Sequence, residues 1–168
     1  MNNKENNGRK LSAPAKIIIS VSIIILIILA DRLSKNWIIA NIALNDGFPV
    51  IKGFFNIVNV CNFGGAFSMF QNQKALFIAA GIFVPMLLLF LIKQKFDKIG
   101  FLISSSMIVG GAIGNLTDRL IYGYVIDFLQ FGSFPVFNVA DSFITVGVCI
   151  LAICIIKEDT EKSKKENA

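Results

Sequence analysis

Histidine is absent from this 168-residue chain. That absence excludes a Ser-His-Asp triad, a Cys-His pair, an HExxH zinc site and any imidazole proton shuttle. Cysteine is scarce as well. Cys61, Cys149 and Cys154 show no CxxC spacing, and the last two sit in an apolar run where cysteine acts as a small hydrophobe, so neither a zinc nor a disulfide framework is expected. Charge is the third shortage: 16 Lys/Arg and 11 Asp/Glu make 16% of the residues, against about 25% in soluble domains. What fills the chain instead is apolar, at 55% hydrophobic with a mean hydropathy of +0.69. So much apolar surface, gathered into long runs, cannot be hidden in so small a globule and marks a membrane protein. The same numbers exclude disorder. The net charge of +5 lies mostly in the two ends and one short loop, which argues against a nucleic-acid partner. Acid-base chemistry, if there is any, must come from Asp, Glu, Lys, Tyr or Ser. No metal and no cofactor is expected.

Four apolar runs read as transmembrane helices in a single integral membrane domain covering 1–168. The first is Ile17 to Ala30, extended by the helix-compatible DRLSKNWII past the roughly 20 residues a hydrocarbon core requires. Ala75 to Ile92 is the second, with Pro85 inside it, and the third runs from about Ile99 to Leu116. Val136 to Ile156 is the fourth and contains Asn138 and Asp141 near its start. Four spans put both ends and the KQKFDK loop on one side, where eleven basic residues lie against five (Arg32, Lys35, Lys52, Lys74, Arg119) on the other. That bias places the termini, 1–15 and 157–168, in the cytoplasm as solvated tails. No small-x-small cleavage site follows Ala30, so the first span is expected to be kept. Residues 41–74 include the β-rich GFFNIVNVCNFGGAF and read as short strands on the outer surface; residues 118–135 read as a short crossing between the third and fourth spans.

All four glutamates, with Asp97 and Asp159, fall on the cytoplasmic side. Of the other five aspartates, Asp31, Asp118, Asp127 and Asp141 converge at the outer ends of the spans or in the crossing. An aspartate in a membrane run costs about 2.5–3.5 kcal/mol on insertion scales, so Asp141 needs a partner, water or a function. Pairing with a cation such as Arg119 or Lys35 would be the plain structural account. Several polar groups share that depth, however: Asn115 and Arg119 are i,i+4, Asn138 and Asp141 are i,i+3, and Asp31 with Lys35 forms an i,i+4 pair suited to a structural clamp. GGAIG at 110–114 is a small-residue stretch through which helices can pack closely. The paired glycines of NFGGAFS at 62–68 fit either special loop angles or close approach to a ligand.

DRLSK at 31–35, NFGGAFS at 62–68, GNLTDR at 114–119, VIDF at 125–128 and FNVADS at 137–142, in that order, resemble lipoprotein signal peptidase, or signal peptidase II, an aspartic peptidase family of bacterial membranes. The resemblance runs from about residue 17 to 156. It implies four transmembrane helices with a small external β-cradle and a juxtamembrane helix, and a prolipoprotein substrate carrying a diacylglyceryl group on its lipobox cysteine, cut just before that cysteine. It implies Asp127 and Asp141 as the catalytic pair, Asp31, Lys35, Asn62, Asn115, Arg119 and Asn138 as substrate-binding or supporting positions, and Asp118 as structural. Membrane phospholipid and globomycin-type inhibitors follow as partners, and the bacterial plasma or inner membrane as location, with the site near the external face. The sequence departs from the family pattern at Cys61, where a polar or basic residue is common, and at Gly65, where an alanine is common.

Two carboxylates sharing one proton can replace histidine in peptide hydrolysis, one activating water while the other polarises the carbonyl. Asp127 and Asp141 could meet if the 14-residue connection between them folds back, helped by Gly132 and Pro135. A small proton- or ion-coupled transporter is the alternative, but it would want polar residues at the bilayer midplane, where only Ser104 to Ser106 stand out.

Overall fold

The computed structural model describes residues 11–64, 73–94 and 99–166. In lipid a backbone must satisfy its own hydrogen bonds, and the apolar runs do so as four helices: α1 (Ala13–Asn41), α2 (Lys74–Gln94), α3 (Ile99–Ile121) and α4 (Val139–Glu166). Ser12 caps α1 by accepting from the Ala15 amide at 3.4 Å, with Pro14 in the first turn. By length and composition α1, α3 and α4 can each cross a membrane, and α2 adds a shorter apolar run, Ala75–Leu88. The protein is membrane-embedded.

Helix α3 forms the centre, packed on by α1, α2 and α4. Its sequence explains that position. With lipid outside as apolar as any core, helices associate through close packing, and α3 buries Ser104, Ser105, Ser106, Gly110, Gly111 and Gly114. A Cβ at Gly111 would lie 2.5 Å from the Ala140 carbonyl oxygen, and one at Gly114 would lie 2.7 Å from Asp31 Oδ2. The large side chains point outward instead: Leu26 and Leu33 of α1 and Phe83 of α2 are about two-thirds exposed, as lipid-facing residues should be.

A three-stranded antiparallel sheet, β1 (Gly47–Ile51), β2 (Phe55–Asn62) and β3 (Val125–Phe131), lies in that order beside the bundle. Gly53, at φ +77°, makes the β1–β2 turn that a Cβ would strain. Phe55 stands opposite Phe131 and their rings stack at 4.4 Å; Val60 stands opposite Asp127 and Asn62 opposite Val125. Strand β3 is buried on both faces over Val125–Phe128. By alternation Ile126 and Phe128 pack with Ile38 of α1 and Ile42 just beyond its end, while Val125 and Asp127 point to the opposite side. Asn59 ties β2 to the end of α1 by donating to the Ile42 carbonyl at 2.8 Å.

Two readings from the sequence need correction. The segment 118–135 is more than a crossing, because VIDFLQF is the third strand and binds the two halves of the chain into one sheet. The fourth helix begins at Val139 rather than Val136: Phe137 bridges to Leu129 as β-structure, which leaves Asn138 as the residue before the helix. At the other end, α4 continues through Glu166, so the segment expected as a solvated tail from 157 is helical over 157–166. A juxtamembrane helix is not seen among the described residues.

Candidate active site

The polar positions converge where α1, α3, β3 and α4 meet. At the base is an ion cluster in which Asp31, Lys35 and Asp118 are almost fully buried and Arg32 is partly exposed. Lys35 Nζ lies 2.8 Å from Asp31 Oδ2 and 2.8 Å from Asp118 Oδ2, and Arg32 reaches the other Asp118 oxygen at 3.1 Å. The two carboxylates and two cations balance. Backbone amides add to this: Ala140 N, in the first turn of α4, donates to Asp31 Oδ1 at 3.0 Å, and Ile126 N of β3 donates to Asp118 Oδ2 at 3.3 Å, while Asp118 Oδ1 has only the Arg32 ion pair. Buried charges tolerate burial only when paired and hydrogen-bonded in this way. The Asp31–Lys35 clamp is thus present as i,i+4 spacing suggested, and Asp118 is its third member.

Above the clamp sit the carboxylates of Asp127 and Asp141. Asn138 joins them. Its Nδ2 donates to Asp127 Oδ1 at 2.7 Å, its Oδ1 accepts from Asp141 N at 2.9 Å, and its own backbone N lies 3.4 Å from Asp141 Oδ2. The last two contacts form a capping box at the start of α4: the residue before the helix and the third helical residue each satisfy the other's amide. Asn138 and Asp141 are therefore neighbours through the cap, not through a shared helical face. Asn62 Nδ2 donates to Asp127 Oδ2 at 2.8 Å and Asn115 Nδ2 to Asp141 Oδ1 at 2.7 Å. Amides hold both acids. Among the described residues neither acid has a cation within ion-pair distance, so the simple pairing of Asp141 with Arg119 or Lys35 does not occur.

Asp127 and Asp141 line one cavity of about 440 Å³ together with Asn62, Asn115 and Arg119. Its far wall includes Phe134 of the β3–α4 connection and Val146 of α4, both about half-exposed, so the cavity opens to the side of the bundle. Gly132, at φ +51° and donating to the Phe54 carbonyl at 2.7 Å, makes the fold-back turn. Arg119 stretches along the rim, where it donates to the Gly64 carbonyl at 3.1 Å and stacks 4.7 Å over the Phe77 ring. Burial, first, and the neighbouring Asp141 charge, second, push the Asp127 carboxyl up to about 7 despite its amide donors and Lys35.

All eight site residues expected from the sequence meet here, though Asp31, Lys35 and Asn138 lie behind the cavity and do not line it. Of NFGGAFS, residues 65–68 lie outside the described residues, so Gly65 does too. Cys61 pairs with Ile126 in the sheet. Two contributors were not singled out. Arg32 completes the clamp, but 86 positions separate it from Asp118 and no spacing links them; Thr145 lines the cavity one turn beyond Asp141, an i,i+4 relation that could have flagged it.

Fold and site together define an integral membrane protein whose helix bundle and sheet hold two carboxylates in a side-opening cleft. A family model described as signal peptidase (SPase) II matches residues 23–157. The chain belongs to the signal peptidase II family and is a peptidase by that membership. It is 41% identical over 147 residues to the lipoprotein signal peptidase of Streptococcus thermophilus, covering 86% of this chain and 95% of that one. It is 42% identical over 148 residues to that of Streptococcus agalactiae, covering 86% and 96%. The Clostridium tetani lipoprotein signal peptidase is 38% identical over 151 residues, at 86% and 97% coverage. Two solved structures of bacterial membrane enzymes, obtained by the in meso method, superpose with TM-scores of 0.83 and 0.78 at 28% and 29% identity. The first covers 87% of this chain and 92% of the other, the second 84% and 94%.

Proposed function

We propose that this protein is an aspartic endopeptidase that removes the signal peptide from diacylglyceryl-modified prolipoproteins, cutting before the lipidated cysteine, with Asp127 and Asp141 as the catalytic pair. The observation that carries the reading is the convergence of two amide-held carboxylates on a single cavity that opens sideways from an apolar bundle. In this scheme all four helices span the membrane, both termini are cytoplasmic, and the sheet is a cradle at the external face of the bacterial plasma or inner membrane. The acyl chains stay in phospholipid while the peptide enters at the depth of the acids.

The two acids are not equivalent. Asp141 is the third residue of α4, where unpaired helix amides favour a negative charge. Asp127, on β3 and pushed up to about 7, is the member that keeps its proton. In the first step a water oxygen bonds to the scissile carbonyl carbon and gives a proton to the Asp141 carboxylate, while the Asp127 proton passes to the carbonyl oxygen. The tetrahedral species then collapses: the C–N bond breaks, Asp141 delivers its proton to the departing amine, and a hydroxyl proton returns to Asp127. One water is consumed and both acids are restored. The supporting amides of Asn62, Asn115 and Asn138 hold the pair in place, and Arg119 positions the loop and peptide at the rim.

The test is cleavage of a diacylglyceryl-modified prolipoprotein by the purified protein, wild type against Asp127→Asn. Cleavage by wild type alone, blocked by a globomycin-type inhibitor, is the expected result. Turnover by Asp127→Asn would overturn the catalytic assignment, and equal cutting of an unlipidated precursor would overturn the substrate.

A further inference from the structure

Three asparagine amides touch the carboxylate pair, and an amide can be turned either way round unless its other half is engaged. For two of them the backbone decides. Asn62 Oδ1 accepts from Gly64 N at 2.9 Å and Asn138 Oδ1 accepts from Asp141 N at 2.9 Å, so both must present their NH2 groups to the acids. Asn115 differs. Its Oδ1 is held only by side chains, Lys35 Nζ at 3.1 Å and Asn138 Nδ2 at 3.1 Å, while its Nδ2 donates to Asp141 Oδ1 at 2.7 Å. If Asn115 were reversed, its NH2 would face an ammonium and another NH2, and its oxygen would face a carboxylate. Three hydrogen bonds would become three repulsive contacts.

Lys35 is completely buried and does not line the cavity, so it has no route to substrate except through a neighbour. The ammonium donates to Asp31 and Asn115 and is ion-paired with Asp118, so its three oxygen neighbours are all protein groups. We infer that Lys35 is a positioning residue that acts through Asn115: by holding the amide oxygen it fixes which end of Asn115 meets Asp141, and so presents an N–H to the carboxylate that takes the proton from water. This goes one step past the aspartic reading and rests on it. A clamp serving packing alone would need the two ion pairs with Asp31 and Asp118 but no bond to Asn115.

A double-mutant cycle on kcat separates the two roles, using purified full-length protein in lipid and a synthetic peptide with a diacylglyceryl cysteine as probe. Lys35→Met should lower kcat by about 30-fold with KM within about threefold, as misplacement of a reacting group does. In an Asn115→Ala background the same Lys35→Met change should lower kcat by less than about threefold, because the element it orients is already gone. Additive losses in the two backgrounds would overturn the inference, as would a loss confined to KM. Thermal melting is followed alongside, since a purely structural clamp lowers it equally in both backgrounds. Should Lys35→Met not accumulate, the charge-balanced Lys35→Met/Asp31→Asn pair is measured in the same cycle, with Asp31→Asn as its reference and the same outcomes deciding. Asp141→Asn is the control. Turnover by it would sink the aspartic reading itself, whereas an inactive control with an additive cycle sinks only the role of Lys35.

Discussion

The two halves of the bundle bury polar side chains in opposite ways. At the end near the sheet, Asp31, Lys35, Asn115, Asp118, Asp127 and Asn138 are almost wholly buried, and their bonds run between elements as far as 109 positions apart in sequence. Toward the other end, Ser104 and Ser106 are buried just as fully, but each bonds only to a carbonyl of its own helix, at 3.1 Å and 2.7 Å. The apolar cluster of that half is Leu88, Ile108 and Val109, with Ile24 and Leu151 packed against it. The serines are there because they are small and their hydroxyls can be satisfied locally, so the helices come close without any directed contact. The sheet end is built from groups whose direction matters. Close packing makes the bundle, and a cross-linked polar network makes the site.

The contrast is broken most sharply at the acids. Asp141→Asn or Asp127→Asn should lower cleavage of a lipidated precursor by at least about a thousandfold, within the range of general acid-base contributions multiplied over two roles, with the melting temperature in lipid little changed. Loss of fold instead would mean that the network is structural. Next comes Gly114→Val, which drives a side chain into Asp31 Oδ2 and Ala140. It should destabilise by about 3 kcal/mol, as overpacking does, and should lower activity together with stability, read by thermal melting and turnover on one preparation. A smaller effect is expected of Arg119→Ala, which frees the Gly64 carbonyl and uncovers Phe77. KM should rise about tenfold with kcat less affected; unchanged kinetics would remove Arg119 from substrate positioning.

The pH profile sharpens the comparison within the site. With Asp127 pushed up to about 7, raising the pH through that value strips the shared proton, leaves both acids charged and should lower kcat. Asn62→Leu removes a donor that favours the charged form of Asp127, so the alkaline limb should move to higher pH; a downward move would contradict the assignment of the proton to Asp127. The least change is expected in the other half. The Ser105 hydroxyl is buried without a partner among the described residues, so Ser105→Ala should be neutral or stabilise by up to about 1 kcal/mol and leave turnover as it was. A large loss of turnover there would show that the two halves are coupled.

Much of this was legible in residue order. The apolar runs gave the helices, and Asp31 with Lys35 could be paired because four positions are one helical turn. VIDFLQF was not legible as a strand: seven residues with one charge between a helix and a proline-containing loop have no local partner, and β2 lies some 65 positions earlier. Asn138 and Asp141 were correctly read as neighbours and wrongly read as sharing a helix, since a capping residue and a first-turn residue have the same i,i+3 spacing in either case. That Arg32 completes the Asp118 pair depends on the crossing of α1 and α3, which no spacing within one helix records.

Composition and periodicity, which act through solvent and through neighbours along the chain, determined that this is a membrane protein of apolar helices, without imidazole chemistry, and which few polar residues had to find partners. Only tertiary structure decided which partners they found. A buried ion or amide is satisfied by whatever donor or acceptor the packing of distant elements brings within about 3 Å, and that distance is set by how small residues let α3 approach α1 and α4, not by any interval in the sequence.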